Sequence, residues 1–429
     1  MWVLRGVLDE YSVGVWVNFK FPSGNVSFFS KKLAAAILLT SGTLAWFFLL
    51  AFIYITPIFN SLTLNNSFWS YYEIGPILFY SFVFFWTIMG SFVGARIERR
   101  KLLLLWVSLG ILATFLLAVF HGLVFAIISS FLLGLSFGFG FPSSMAFTAD
   151  CTTIEDRARV CGAIILTTFI IAFAAIAVAS VFNFALLDII LLLVVVRATS
   201  FPALFLDKCY KNQQLMEKLP TSPDYRDFIL YLLPWVMFSN AAAMVYDFIP
   251  QTSAYTNALA IGQPIRYVCI ALFGLISGFS ADRYGRKQPI IIGLIILGIS
   301  FALLGFDFSP FSVLIYSLVS GIAWGLFFVV YLAIPGDLSS FSTREKFYGL
   351  TLLPFIIFAV WSAIPAAAFP VVSVSSISLI LGVIVFLSII PVFRARETLS
   401  TQKIQERKMK EHLSKIEELV QESKKSKGD

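Results

Sequence analysis

Four charged side chains fall within six residues of the stretch GFSADRYGRKQP, Gly278 to Pro289: Asp282, Arg283, Arg286 and Lys287. One carboxylate among three cations makes charge-assisted contacts that can form and break. It does not make a catalytic centre. The chain holds only two histidines, His121 and His412, and neither belongs to a nucleophile–base or metal-ligand constellation. No enzyme activity, metal site or cofactor is therefore expected. The phosphate-cradling pattern G-x-x-x-x-G-K-[ST] is also missing, which argues against ATP hydrolysis by this chain. Asp282 needs partners, because a negative charge at a helix C-terminus is unfavourable. The candidates are Arg283, Arg286 and the N-terminal end of a neighbouring helix. Gly278 permits close backbone approach, and Gly285 permits a turn at positive φ.

The elements that must hold these charges are strongly apolar. Of 429 residues, 59% are hydrophobic and only 13% charged, against about 25% charged in a soluble domain. Such a chain belongs in a bilayer, the first partner expected. The net charge of +7 does not point to nucleic acid, because the basic residues cluster between apolar runs. Twelve segments are long enough to span: 33–56, 74–96, 102–120, 123–147, 160–182, 185–206, 228–249, 262–281, 288–306, 310–335, 350–371 and 374–393. Their length, without apolar/polar alternation, indicates helices rather than a barrel. The expected fold is thus an all-α membrane protein with 12 transmembrane helices. With the N-terminus inside, every outer loop is free of Lys and Arg. Both termini are accordingly expected in the cytoplasm of a plasma-membrane protein. The charged turn then lies on the cytoplasmic side, between spans eight and nine. The four cysteines match no metal pattern, and no disulfide is expected among them. Residues 1–31 lack a signal-peptide h-region and are read as a cytoplasmic segment.

The two halves repeat. GLSFGFGFPSSMAFTADCTTIEDRARVCG, Gly134 to Gly162, aligns without gaps on GIAWGLFFVVYLAIPGDLSSFSTREKFYG, Gly321 to Gly349. Gly134, Gly138, Asp150, Arg157 and Gly162 fall on Gly321, Gly325, Asp337, Arg344 and Gly349, a constant separation of 187 residues. The same separation places Arg283, Arg286 and Lys287 on Arg96, Arg99 and Arg100. Two pseudo-symmetric six-helix bundles follow, 32–206 and 228–395, joined by a cytoplasmic linker, 207–227. Residues 396–429 read as a cytoplasmic amphipathic tail suited to anionic lipid.

GFSADRYGRK resembles the loop signature of the major facilitator superfamily, G-x-x-x-D-R-x-G-R-R/K. ADCTTIEDRARVCG resembles that family's acidic-then-arginine loop, and RETL, Arg396 to Leu399, the charged end of its last helix. The resemblance covers about residues 33–400 and picks out no substrate family. It implies secondary transport of a small solute by alternating access, with a site between the halves near the midplane. It also implies a neighbour for Asp282, the N-terminus of span five near Arg159 to Gly162. A cytoplasmic latch is expected from Gly278, Asp282, Arg283, Gly285 and Arg286, extended by Arg96, Asp150, Arg157, Asp337 and Arg344. The first-half copy is degenerate: Ala95 replaces the Asp, and Glu98 the second Gly.

Charged groups inside a bilayer are the default site candidates. Asp247 and Arg266 lie in the outer parts of spans seven and eight, with Asn240 and Tyr246 near Asp247; a gate, a solute contact or a structural pair are the readings. Arg197, near the middle of span six, is a further cavity candidate, but spans of that class in the family face lipid or the back of the bundle, and a long side chain can snorkel, so a structural role is favoured. Trp46, Trp324 and Tyr331 are aromatic cavity candidates. Some proton-coupled family members carry an Arg where this chain has Ser130, so proton or ion coupling and facilitated diffusion both stay open. A monomer is expected. The alternative to transport is a sensor or assembly protein built on a transporter scaffold.

Overall fold

The computed structural model describes residues 31–54, 58, 71–94, 96–119, 123–206, 223–248, 253–354, 356–357, 373–399 and 409. Within them the regular structure is helical. The elements are α1 (Lys31–Phe48), α2 (Tyr71–Gly94), α3 (Arg99–Val119), α4 (Leu123–Gly138), α5 (Phe141–Asp150), α6 (Arg157–Val181) and α7 (Leu186–Ala198). They continue as α8 (Ala203–Leu206), α9 (Tyr225–Phe248), α10 (Ser253–Tyr284), α11 (Lys287–Phe306), α12 (Pro310–Leu338), α13 (Arg344–Leu350), α14 (Val374–Leu387) and α15 (Ile389–Arg394). Among the described residues, 10 stretches are long and apolar enough to cross a membrane. The seventh expected span is present as the 24-residue helix α9. Most of the eleventh, 350–371, lies outside the described residues, as do residues 1–30, most of the linker and nearly all of the tail. The protein is an all-α, multi-span membrane protein.

Several boundaries differ from the expected ones, each for a local reason. The fourth span is broken between Gly138 and Phe141, where Pro142 opens α5; proline lacks the N–H that would continue the ladder. The sixth span is interrupted likewise between α7 and α8, at Pro202. Helix α10 begins at Ser253 rather than 262 and runs 32 residues, about 48 Å at 1.5 Å per residue. The segment SAYTNALAI has no glycine or proline to stop it, so the presumed outer loop continues the helix. The last span divides at Ser388 into α14 and α15. Helix α1 runs on into a π-helical turn, Leu49–Tyr54.

Both faces of these helices are apolar. On α3, Leu103, Trp106, Val107 and Leu117 are buried, while Leu104, Leu105, Leu112 and Phe115 on the other side are exposed. The exposed row faces lipid, where water would not tolerate it. Helix pairing therefore depends on shape, and glycine supplies it. A Cβ at Gly138 would lie 2.5 Å from the Val83 carbonyl oxygen and 2.8 Å from the Thr87 amide nitrogen of α2. A Cβ at Gly325 would lie 2.9 Å from both the Ile270 oxygen and the Gly274 nitrogen of α10. Val83 and Ile270, and Thr87 and Gly274, are again 187 residues apart. The pair α2/α4 thus repeats as α10/α12, contact for contact.

Candidate functional site

The charged residues meet where α6 starts and α10 ends. Gly278 lets the two backbones touch: a Cβ there would sit 2.5 Å from the Ala158 carbonyl oxygen. That approach brings Asp282 to the first turn of α6. Its carboxylate accepts from the backbone N–H groups of Ala158 at 3.2 Å and Arg159 at 2.8 Å. It also accepts from Arg159 Nε at 3.1 Å and Arg286 Nη1 at 2.5 Å. An anion at a helix N-terminus meets unsatisfied N–H groups and the positive end of the dipole. The burden of placing Asp282 at the end of its own helix is offset by the start of another.

Arg286 extends the cluster. It is fully buried and reaches Asp337 of α12 at 2.9 Å and the Ile154 carbonyl at 2.6 Å. Asp337 also accepts from Arg157 of α6 at 2.5 Å. Arg157 is fully buried, and its other nitrogens donate to Thr152 Oγ1 and to the carbonyls of Ala149 and Thr152. The turn that carries these groups is closed by Gly285 at φ +105°. Behind it, Glu397 accepts from the backbone N–H groups of Arg286 and Lys287 at 2.7 and 3.1 Å and so caps α11. Thr398 donates to Asp337 at 3.2 Å. Arg283 points outward and lies 5.3 Å over the Tyr284 ring.

A second cluster stands at the equivalent place in the repeat. Asp150 of α5 pairs with Arg99 of α3 and Arg344 of α13. Arg99 also holds Glu345 at 2.5 Å and lies 5.8 Å over the Phe341 ring. Arg157–Asp337 and Arg344–Asp150 are thus reciprocal pairs, each joining the N-terminal start of one helix to the far repeat. The glycines behave alike. A Cβ at Gly162 would meet Gly274 O at 3.0 Å and Gly278 Cα at 3.5 Å; one at Gly349 would meet Thr87 O at 3.6 Å and Ser91 Cβ at 2.9 Å.

Arg96 is exposed and joins no ion pair among the described residues; Arg99 occupies the pairing position instead. Arg99, Arg159, Glu345, Glu397 and Thr398 were not among the expected latch residues. The 187-residue spacing pointed to Arg99 as the counterpart of Arg286. Nothing in the local motif pointed to Glu345.

The span residues are less gathered. Tyr246 and Asp247 lie in the last turn of α9, with side chains outside the described residues, so an Asp247–Arg266 pair falls outside them too. Arg266 is partly buried, 5.8 Å over the Trp324 ring. Asn240 is exposed. Tyr331 is buried against Trp235, ring centroids 4.6 Å apart, and Trp235 meets Trp324 at 6.0 Å. Arg197 does not face lipid: its side chain is fully buried. The guanidinium lies 4.5 Å over Trp106 and 5.2 Å over Trp46. It donates to Thr43 Oγ1 and, at 3.4 and 3.3 Å, to the carbonyls of Trp106 and Ser136. Trp46 is fully buried as well and donates to Thr114 Oγ1 at 3.0 Å. Helix α7 turns its arginine inward because Gly110 of α3 leaves room for it.

Residues 228–425 match the family model described as Major Facilitator Superfamily. No curated protein matches the chain. Among solved structures the fold is similar to that of the human organic anion transporter MFSD10 (TETRAN). The TM-score is 0.64 at 14% identity, over 84% of this chain and 99% of that one. By sequence, residues 228–425 thus match the major facilitator superfamily, and over most of the chain the fold is shared with a solved transporter.

Proposed function

We propose that the protein is a secondary transporter that moves a small solute across the plasma membrane by alternating access. The moving parts are the two six-helix halves, 32–206 and 228–395, with both termini in the cytoplasm. The charge clusters are the latch that holds the cytoplasmic mouth shut. The observation that carries this reading is the reciprocal pairing of Arg157 with Asp337 and of Arg344 with Asp150. Each pair joins one half to the other, and buried ion pairs of this kind serve registry better than stability. A static scaffold has no need of a breakable latch where its halves touch.

The solute is proposed from two supports. Arg266 is a partly buried cation within the spans, and the solved structure of similar fold is titled an organic anion transporter. An organic anion is therefore the first class to test. The protein is reconstituted into liposomes preloaded with a panel of solutes, organic anions first, and labelled counterflow is measured with and without a proton gradient. Exchange of at least one class supports transport, and dependence on the gradient assigns coupling. A sensor or assembly scaffold exchanges nothing across the whole panel.

A further inference from the structure

We infer that Glu345 is the latch acid of the first half, relocated from the sequence position that Ala95 holds in the repeat. The inference rests on the latch reading above. In the second half, Asp282 sits at the end of α10 and grips Arg286. The 187-residue spacing puts its counterpart at Ala95, which has no carboxylate. The counterpart of Arg286 is Arg99, and Arg99 holds a carboxylate at 2.5 Å, that of Glu345. Glu345 is the counterpart of Ala158, the residue whose N–H group faces Asp282. The acid has thus crossed the interface, from the helix that ends there to the helix that begins there, and still meets the same arginine.

Charge balance supports the exchange. The core of one cluster is Arg157 and Arg286 with Asp282 and Asp337, two cations and two anions. The core of the other is Arg99 and Arg344 with Asp150 and Glu345, again two and two. All eight side chains are at most 16% exposed. Without Glu345 the second set would bury a surplus positive charge, which proteins avoid. The new position also suits an anion: Glu345 lies in the first turn of α13, at the positive end of the dipole. The relocated version is the looser of the two. Nε and Nη2 of Arg344 have no partner among the described residues, whereas the matching nitrogens of Arg157 are satisfied by Thr152 and the Ala149 carbonyl.

Cys161 reports on the latch. It is fully buried on α6, one turn after Arg157. In a background with Cys151, Cys209 and Cys269 replaced by Ser, its rate of modification by a membrane-impermeant maleimide is measured in inside-out vesicles. Glu345→Gln is expected to raise the rate several-fold, and Asp282→Asn to raise it more. Ala95→Asp added to Glu345→Gln is expected to return the rate to that of the parent. An unchanged rate in Glu345→Gln, with a raised rate in Asp282→Asn, overturns the role of Glu345 and leaves the latch. Unchanged rates in both sink the latch itself. A raised rate that Ala95→Asp does not lower overturns the relocation. Should Glu345→Gln fail to insert, the double variant decides. Recovery of insertion and of the parental rate supports the exchange; continued failure beside a well-inserted Ala95→Asp single variant overturns it.

Discussion

Asp337 accepts from arginines of two different elements, Arg157 at 2.5 Å and Arg286 at 2.9 Å. Replacing it by Asn keeps the shape and leaves two buried guanidinium groups facing a neutral amide. Removing one partner of a buried pair costs about 3–5 kcal/mol. Each loss strands one arginine, since Arg286 keeps Asp282 and Arg99 keeps Glu345. Asp337→Asn is expected to lower the unfolding temperature in detergent more than Asp150→Asn, because Asp337 and both its arginines are fully buried whereas Asp150 and Arg99 are partly exposed. Thermal shift of the two purified variants checks the order. Arg197 tests a different cost. Its charge is buried without an acidic partner among the described residues. Arg197→Met removes the charge and keeps most of the volume, whereas Arg197→Ala opens a cavity, at about 2–5 kcal/mol for a large buried side chain. Met is expected to melt above Ala, and Lys, which cannot stack its head group flat between Trp46 and Trp106, below Met. A lower melting point for Met than for Ala would overturn the cavity argument, and a loss on Arg197→Met as large as that on Arg197→Ala would mean that the guanidinium itself holds the helices.

At the level of helices, close approach is set by single missing side chains. Gly138→Leu and Gly325→Leu are expected to be equally damaging, because each forces apart an equivalent helix pair, α2/α4 or α10/α12. Overpacking of this kind costs about 1–3 kcal/mol or more, and matched losses of melting temperature are the readout. This much was legible in the sequence: Gly134, Gly138, Gly321 and Gly325 share one spacing, and glycine in an apolar helix has few other reasons to recur. The inward turn of Arg197 was not legible. A membrane helix is apolar on its packed and its lipid face alike, so α7 carries no pattern to say which way its one arginine looks. Helix ends were blurred for the same reason. Only Pro142 and Pro202 marked the breaks, and both sit inside runs that read as uninterrupted by hydropathy.

At the level of the whole chain, the cysteine pair Ser91→Cys and Gly349→Cys joins α2 to α13, where a Cβ on Gly349 would lie 2.9 Å from that of Ser91. A small shift brings the pair to disulfide geometry. With native cysteines replaced, oxidation is expected to abolish counterflow, and reduction to restore it. Exchange that persists in the oxidised protein would show that these helices do not part. The repeat, most of the spans and the charged loops could be read from residue types alone, the eleventh span lying outside the described residues. Partners across the interface could not, since Arg99 meets Glu345 from 246 residues away, and no local pattern encodes that distance.

One carboxylate ties four separate stretches of chain. Asp337 belongs to α12, Arg157 to α6, Arg286 to the turn before α11, and Thr398 to the segment beyond α15. None of the three donors can withdraw without leaving the others to share an unevenly solvated anion. On the latch reading, release at this junction is expected to be concerted, with a threshold rather than a gradual slackening, and the segment beyond α15 meets the same carboxylate as the helices.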